Sequence, residues 1–322
     1  MDRRHFIKRT GQFGLATSLS HLILPGILDE TSDWFFSDAK PFFKLSLAQW
    51  SLHRAFDSKV LSRLEFAKVA KEFGFEGLEY VSSFYLPEKG KEHELRTTVH
   101  ELKKRSGDFG LQNVLIMVDE GDLSTANEET RKKTIDAHYK WIDSAAELGC
   151  HSIRVNLFGG ETEKTPEIWM QKSAESLRQL CEVASKSKLN VIVENHQLLS
   201  ADAAKVSKIM KMVNLPNCGT LPDFGNFCLK REGGARFEGK CIEEYDRYKG
   251  MAELLPFAKG VSAKSYDFNA SGEETTMDYK RLLKLVKDSG YKGFIGVEYE
   301  GNRLSEVDGL MATKALLLKH GG

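Results

Sequence analysis

From Lys44 onward the sequence alternates short apolar runs with longer amphipathic segments, and it does so eight times over about 275 residues. The apolar runs are Lys44–Gln49, Gly77–Val81, Val114–Val118, Ser152–Leu157, Asn190–Glu194, Gly219–Asp223, Gly260–Lys264 and Phe294–Glu298. Within them, Val191-Ile192-Val193 and Phe294-Ile295-Gly296-Val297 show no polar alternation, as strands covered on both faces require. The intervening segments have a period near 3.6. Ile135, Ile142, Ala145 and Leu148 fall on one helical face, and Leu177, Leu180 and Ala184 on another. Phe73-Gly74-Phe75, Leu148-Gly149-Cys150 and Ser289-Gly290-Tyr291 place glycine where a helix ends before the next strand. This rhythm predicts the α/β class and one closed (β/α)8, or TIM, barrel. An open doubly wound sheet usually has a glycine-rich turn after its first strand. Here that position reads Trp50-Ser51-Leu52-His53-Arg54, without glycine.

The start of the chain follows another logic. Arg3-Arg4-His5-Phe6-Ile7-Lys8, followed by a mildly apolar stretch from Phe13 to Leu28, resembles a twin-arginine export signal. The stretch is too short and too polar to span a bilayer comfortably. Residues 1–40 therefore read as a signal and linker and residues 41–322 as the barrel domain of an exported protein, with no stable membrane insertion expected. Lys+Arg and Asp+Glu both count 46, giving zero formal charge. That balance argues against an electrostatic nucleic-acid binder. A homo-oligomer stays open. The five cysteines show no zinc-site spacing and read as free thiols, with one bridge open between Cys228 and Cys241.

In a parallel barrel the segments that follow strands gather at one end, where active sites lie. Two are long: Gly225–Tyr245, with Lys230, Arg231, Gly233, Gly234, Arg236 and Gly239, and Ser265–Met277. The first is expected to be a loop that closes over substrate as a lid. At the strand ends stand charged residues that would be costly to bury alone: Glu194, Asp223 and Glu298, after strands five, six and eight. Three carboxylates meeting at one mouth suit a divalent cation such as Mn²⁺ or Mg²⁺. Lys264 on strand seven is placed either to polarise a carbonyl oxygen or to neutralise the carboxylates, and the two roles are compatible. His196 is a further catalytic candidate beside Glu194. His53, Glu79, Asn156, Asn226 and Trp50 are expected substrate contacts, with Arg154 one pleat below Asn156 and Phe224 a second apolar face. His100 and His138 fall on predicted helices and read as structural.

The strings Val193-Glu194-Asn195-His196 and Gly219-Thr220-Leu221-Pro222-Asp223-Phe224-Gly225-Asn226, with Glu298 ending the last strand, resemble the xylose-isomerase-like, or type-2 AP-endonuclease-like, sugar isomerase/epimerase superfamily. The resemblance runs from about Lys44 to Leu318. It implies one divalent metal (Mn, Mg, Co or Zn) held by Glu, Asp, His and Glu. Glu194, Asp223 and Glu298 match three of these ligands, and Ser262 stands where the histidine is expected. No histidine occurs between His196 and His320. The resemblance further implies proton abstraction beside a carbonyl of a sugar or keto-sugar, with Glu194 and Glu298 as the acid/base pair. Two alternatives remain open: a lyase or dehydratase acting on a 3-keto-glycoside, and a non-catalytic sugar-binding barrel.

Overall fold

A computed structural model of the chain describes residues 40–91, 93–159, 165–234 and 238–322. The export signal read at the N-terminus, and Arg236 in the long loop, lie outside the described residues.

Eight parallel strands form one sheet: β1 (Lys44–Ala48), β2 (Gly77–Val81), β3 (Gln112–Val118), β4 (Ser152–Val155), β5 (Asn190–Glu194), β6 (Cys218–Leu221), β9 (Val261–Ser265) and β10 (Phe294–Tyr299). Their spatial order is β6-β5-β4-β3-β2-β1-β10-β9. The two ends of that order meet. The Phe224 N–H donates to Ser262 O at 3.0 Å, and the Ser262 N–H donates to Pro222 O at 2.9 Å. Asp223 and Ser262 thus pair in parallel across a seam. The sheet is a closed ring, which rules out the doubly wound alternative.

Each barrel strand is followed by a helix: α1 (Phe66–Glu72), α2 (His93–Asp108), α3 (Glu128–Leu148), α4 (Pro166–Ser185), α5 (Ala203–Val213), α6 (Arg247–Leu254), α7 (Tyr279–Asp288) and α8 (Glu306–His320). Their starts are written locally. Asn127, Asp202, Asp246 and Asp278 each accept a backbone N–H of the first turn of α3, α5, α6 and α7. Such a cap contributes about 1 kcal/mol. The end of α3 needs a left-handed residue, and Gly149 supplies it at φ 78°. The apolar stripes read from the sequence are buried: Ile135, Ile142, Ala145 and Leu148 on α3, and Leu177, Leu180 and Ala184 on α4.

The structure differs from the expected loop at Gly225–Tyr245. That segment contains an antiparallel hairpin, β7 (Cys228–Arg231) with β8 (Cys241–Glu244). A Cys228–Cys241 disulfide staples it, while Cys150, Cys181 and Cys218 are free thiols. Gly233, Gly234 and Gly239 have φ of 73°, 73° and 84° and lie between the two strands, so they form the hairpin's turn rather than a hinge at its base.

Candidate active site

The strand ends carry their charges to one mouth of the ring. Lys264 on β9 lies in register with Glu298 on β10. Arg154 on β4 pairs with Ile192, one pleat below Glu194 on β5. Asp119, Asn156, His196, Asn226 and Glu300 follow in the turns. They border a cavity of about 540 Å³, which also meets Trp50, Val81, Met117, Phe158, Gln197, Arg231 and Tyr266. A pocket of this size, part aromatic and part polar, has the proportions of a small-molecule site.

Two cations organise the floor. Arg154, 5 % exposed, donates from Nη1 to Asp119 Oδ1 at 2.6 Å and holds Nε 2.9 Å from Glu194 Oε2. That second contact is an ion pair rather than a hydrogen bond, because the Nε–H finds no well-aligned acceptor among the described residues. Asn156 Nδ2 donates to the same Asp119 oxygen at 2.6 Å, and Asn226 Nδ2 donates to Glu194 Oε1 at 2.9 Å. Lys264, 2 % exposed, holds Nζ 2.9 Å from Glu298 Oε1 and 3.3 Å from Glu300 Oε2. The Trp50 indole N–H donates to the other Glu300 oxygen at 2.6 Å. Asp223 is fixed from its own turn: Oδ1 accepts the N–H groups of Gly225 and Asn226, both at 2.8 Å. Asn195 braces that turn by accepting the Asp223 N–H at 2.7 Å and donating to the carbonyls of Asp223 and Asn226.

Glu79, Asp119, Glu194, Asp223, Glu298 and Glu300 outnumber the two cations, and the ionisation of the group reflects it. Burial pushes Glu194 up to about 8; Arg154 opposes the rise, while Glu298 and Asp223 add to it. Burial likewise lifts Asp223 to about 6 and Glu79 to about 7. Burial also raises Asp119 and Glu300, but Arg154 and Lys264 respectively overcome it and hold both below the usual carboxylate range. His196 is half-buried by its accessible surface. Burial and the two neighbouring cations push it down to about 3, so its imidazole is neutral.

Not every residue expected here reaches the cavity. Glu79 lies inside the ring, where it accepts the Ser46 hydroxyl at 2.6 Å and backs against Gly296. His53 stacks on Trp50 with ring centroids 4.6 Å apart and bonds the Trp50 carbonyl at 2.7 Å, outside the cavity lining. Phe224 is fully buried against Tyr279, so it offers a substrate no face. Glu194 and Asp223 stand behind the lining, while Glu298 and Lys264 form part of it. Asp119, Glu300, Tyr266 and Asn195 belong to the site although the sequence reading gave them no role, and Arg231, a cation of the long segment after strand six, lines its wall. Asp119 and Glu300 obey the strand-end rule that found the others. Asn195 shows its purpose only through contacts 28 to 31 residues away.

A divalent cation needs oxygen lone pairs that are free to converge. Glu194 gives one oxygen to Asn226 and faces Arg154 with the other. Glu298 faces Lys264. Asp223 keeps only Oδ2, which is buried without a well-formed hydrogen bond, as is the Ser262 hydroxyl across the seam. Among the described residues no three His, Cys, Asp or Glu side chains are grouped so as to hold a metal ion. As arranged, this donor set does not fit a ready-made metal centre.

Residues 67–319 match the family model described as a xylose isomerase-like TIM barrel. Over 55 residues, 17 % of this chain and 16 % of the other, the sequence is 31 % identical to the C-glycoside deglycosidase alpha subunit of Arthrobacter globiformis. The chain thus matches only a small part of that relative's length. Among solved structures, 3-keto-D-glucoside 4-epimerase from E. coli superposes with a TM-score of 0.61 at 17 % identity, covering 85 % of this chain and 98 % of that one. The IOLI protein with a bound zinc atom superposes with a TM-score of 0.65 at 13 % identity, covering 86 % and 98 %. At such identities these likenesses speak to the fold.

Proposed function

Because the chain belongs to the xylose isomerase-like TIM-barrel family, we propose that its cavity transfers a proton at the carbon beside a carbonyl of a sugar or keto-sugar, as an isomerase or epimerase does. The observation that carries this reading is the buried ammonium of Lys264, 2.9 Å from Glu298, with both residues on the wall of a sugar-sized cavity. A carbonyl oxygen seated at Lys264 would draw electron density from the adjacent C–H bond. Glu298 is the carboxylate placed to take that proton. Glu194, raised to about 8 by burial, is the second carboxyl group of the pair; it stands behind the lining, and returning a proton to substrate requires Asn226 and Arg154 to part from it. Trp50 and Phe158 offer aromatic surface to the C–H face of a sugar ring, and neutral His196 can bond a hydroxyl without adding charge. The solved epimerase acting on a 3-keto-D-glucoside supports a carbohydrate substrate.

The deglycosidase relative favours a second reading of the same chemistry. The electron pair left on carbon after proton abstraction can expel a substituent from the next carbon, which makes the enzyme a lyase on a 3-keto-glycoside. One experiment addresses both readings. Ketoses and 3-keto-glucosides are incubated with the protein in D2O and followed by NMR. Deuterium should enter beside the carbonyl, with release of aglycone marking the lyase. Glu298→Gln should slow the exchange by roughly 10²- to 10⁴-fold. Saturable binding of these sugars with no exchange at any of them would identify a sugar-binding barrel instead.

A further inference from the structure

We infer that Lys264 and Arg154 supply, as permanent side-chain cations, the positive charge this site uses, so that proton transfer here proceeds without a divalent metal. The inference rests on the proton-transfer reading above and names the electrophile within it. Both cations are built into the floor. Lys264 is 2 % exposed and Arg154 5 % exposed, and each touches two carboxylates from other strand ends or turns. The turn after β6 makes room for the lysine. A Cβ placed on Gly225 would lie 3.0 Å from Lys264 Cδ and 3.1 Å from its Cγ, so glycine there keeps the aliphatic stem in place. Two unit charges set among Glu194, Asp223 and Glu298 provide the same total as one divalent ion. They also occupy oxygens such an ion would need: both of Glu194's are engaged, as are one of Asp223 and one of Glu298. On β9, the residue paired with Asp223 across the seam is Ser262, a poor ligand for a soft or borderline metal.

The step balances without a co-reactant. The C–H proton passes to a Glu298 oxygen, and the C–H electron pair becomes the C=C bond of an enediolate. The carbonyl π pair moves onto oxygen. Lys264 Nζ donates a hydrogen bond to that oxygen and keeps its own protons. Charge-assisted bonds of this kind are about twice as strong as neutral ones.

The test titrates the chelator-treated full chain with Mn²⁺ alone, by calorimetry and by the electron paramagnetic resonance of free Mn²⁺. Wild type should show no saturable site at micromolar Mn²⁺. Lys264→Met, which releases Glu298, should bind Mn²⁺ at least about tenfold more tightly than wild type. Deuterium exchange into a 3-keto-glucoside should survive exhaustive chelation of wild type. One equivalent of Mn²⁺ bound by wild type at micromolar concentration overturns the inference, as does exchange lost on chelation and restored by Mn²⁺. The wild-type titration decides the matter even if Lys264→Met fails to fold. It also decides it if no sugar exchanges, an outcome that would sink the proton-transfer reading instead.

Discussion

Glu79 shows what a carboxyl group does when the fold gives it no counter-charge of its own. It is 1 % exposed, one oxygen accepts the Ser46 hydroxyl, and the other has no hydrogen-bond partner among the described residues. Gly296 packs close behind it, and a Cβ there, 2.5 Å from both carboxylate oxygens, would force the carboxyl group to shift. Burial raises Glu79 to about 7 from an ordinary 4.5. A carboxyl raised in the folded state binds more protons there than in the unfolded chain. Its stabilising contribution is therefore full below about pH 4.5 and is lost as pH rises through about 7. Glu79→Gln keeps the shape and removes the charge. It should leave stability nearly unchanged at pH 5 and raise it by about 1–3 kcal/mol at pH 8, read as a flatter dependence of Tm on pH. An identical pH profile for the two proteins would place the ionised form of Glu79 comfortably in the ring. The sequence made the strand-end carboxylates legible because charge at the end of an apolar strand is costly unless something opposes it. What opposes it was not legible. Arg154 reaches Asp119 and Glu194 from a third strand, and His53 turned toward Trp50 through local stacking that no spacing rule foretells.

At the scale of elements, eight strand–helix units were readable because period 2 and period 3.6 leave different marks. The observed strands moved by at most a few residues, as with β6, which ends at Leu221 rather than Asp223. The β7–β8 hairpin escaped notice because its strands are short, with only Cys228 buried, and so carry no apolar pattern. It joins the cavity through Arg231, which lines the wall, reaches Gln197 Oε1 at 3.4 Å and donates to the Gly239 carbonyl at 3.0 Å. The disulfide closes a separation of 13 residues around this element alone. Cys228→Ser with Cys241→Ser should therefore loosen the hairpin by roughly 2–3 kcal/mol while the barrel's own Tm changes little. Limited proteolysis with mass-spectrometric mapping should find new cleavage between residues 228 and 244 in the double variant, and the apparent KM should rise as Arg231 loses its place. Cleavage no faster than in wild type would show that the barrel rim holds the hairpin without its staple.

For the molecule as a whole, we propose export through the twin-arginine route, and the Cys228–Cys241 bridge supports an oxidising destination. Among the described residues no helix is long and apolar enough to cross a membrane. Replacing Arg3 and Arg4 by Lys should hold the protein in the cytoplasm, as fractionation and immunoblotting would show, and unchanged export of that variant refutes the route. The ring itself was foreseeable from eight repeats, but the manner of its closure was not, because that depends on a seam of few bonds. Between β6 and β9 the barrel is latched by Phe224 to Ser262, Ser262 to Pro222 and Lys259 to Thr220. Asp223 sits within the latch, while Lys264 and Glu298 stand just beyond it on strands added last. A chain that ends before β9 lacks Lys264 and Glu298, and a ring opened at this seam parts Asp223 from β9, so neither gathers the charges of the site. If the proposed proton transfer holds, catalysis acts as an inspection of the finished fold: only a molecule whose two ends have met would turn over a substrate.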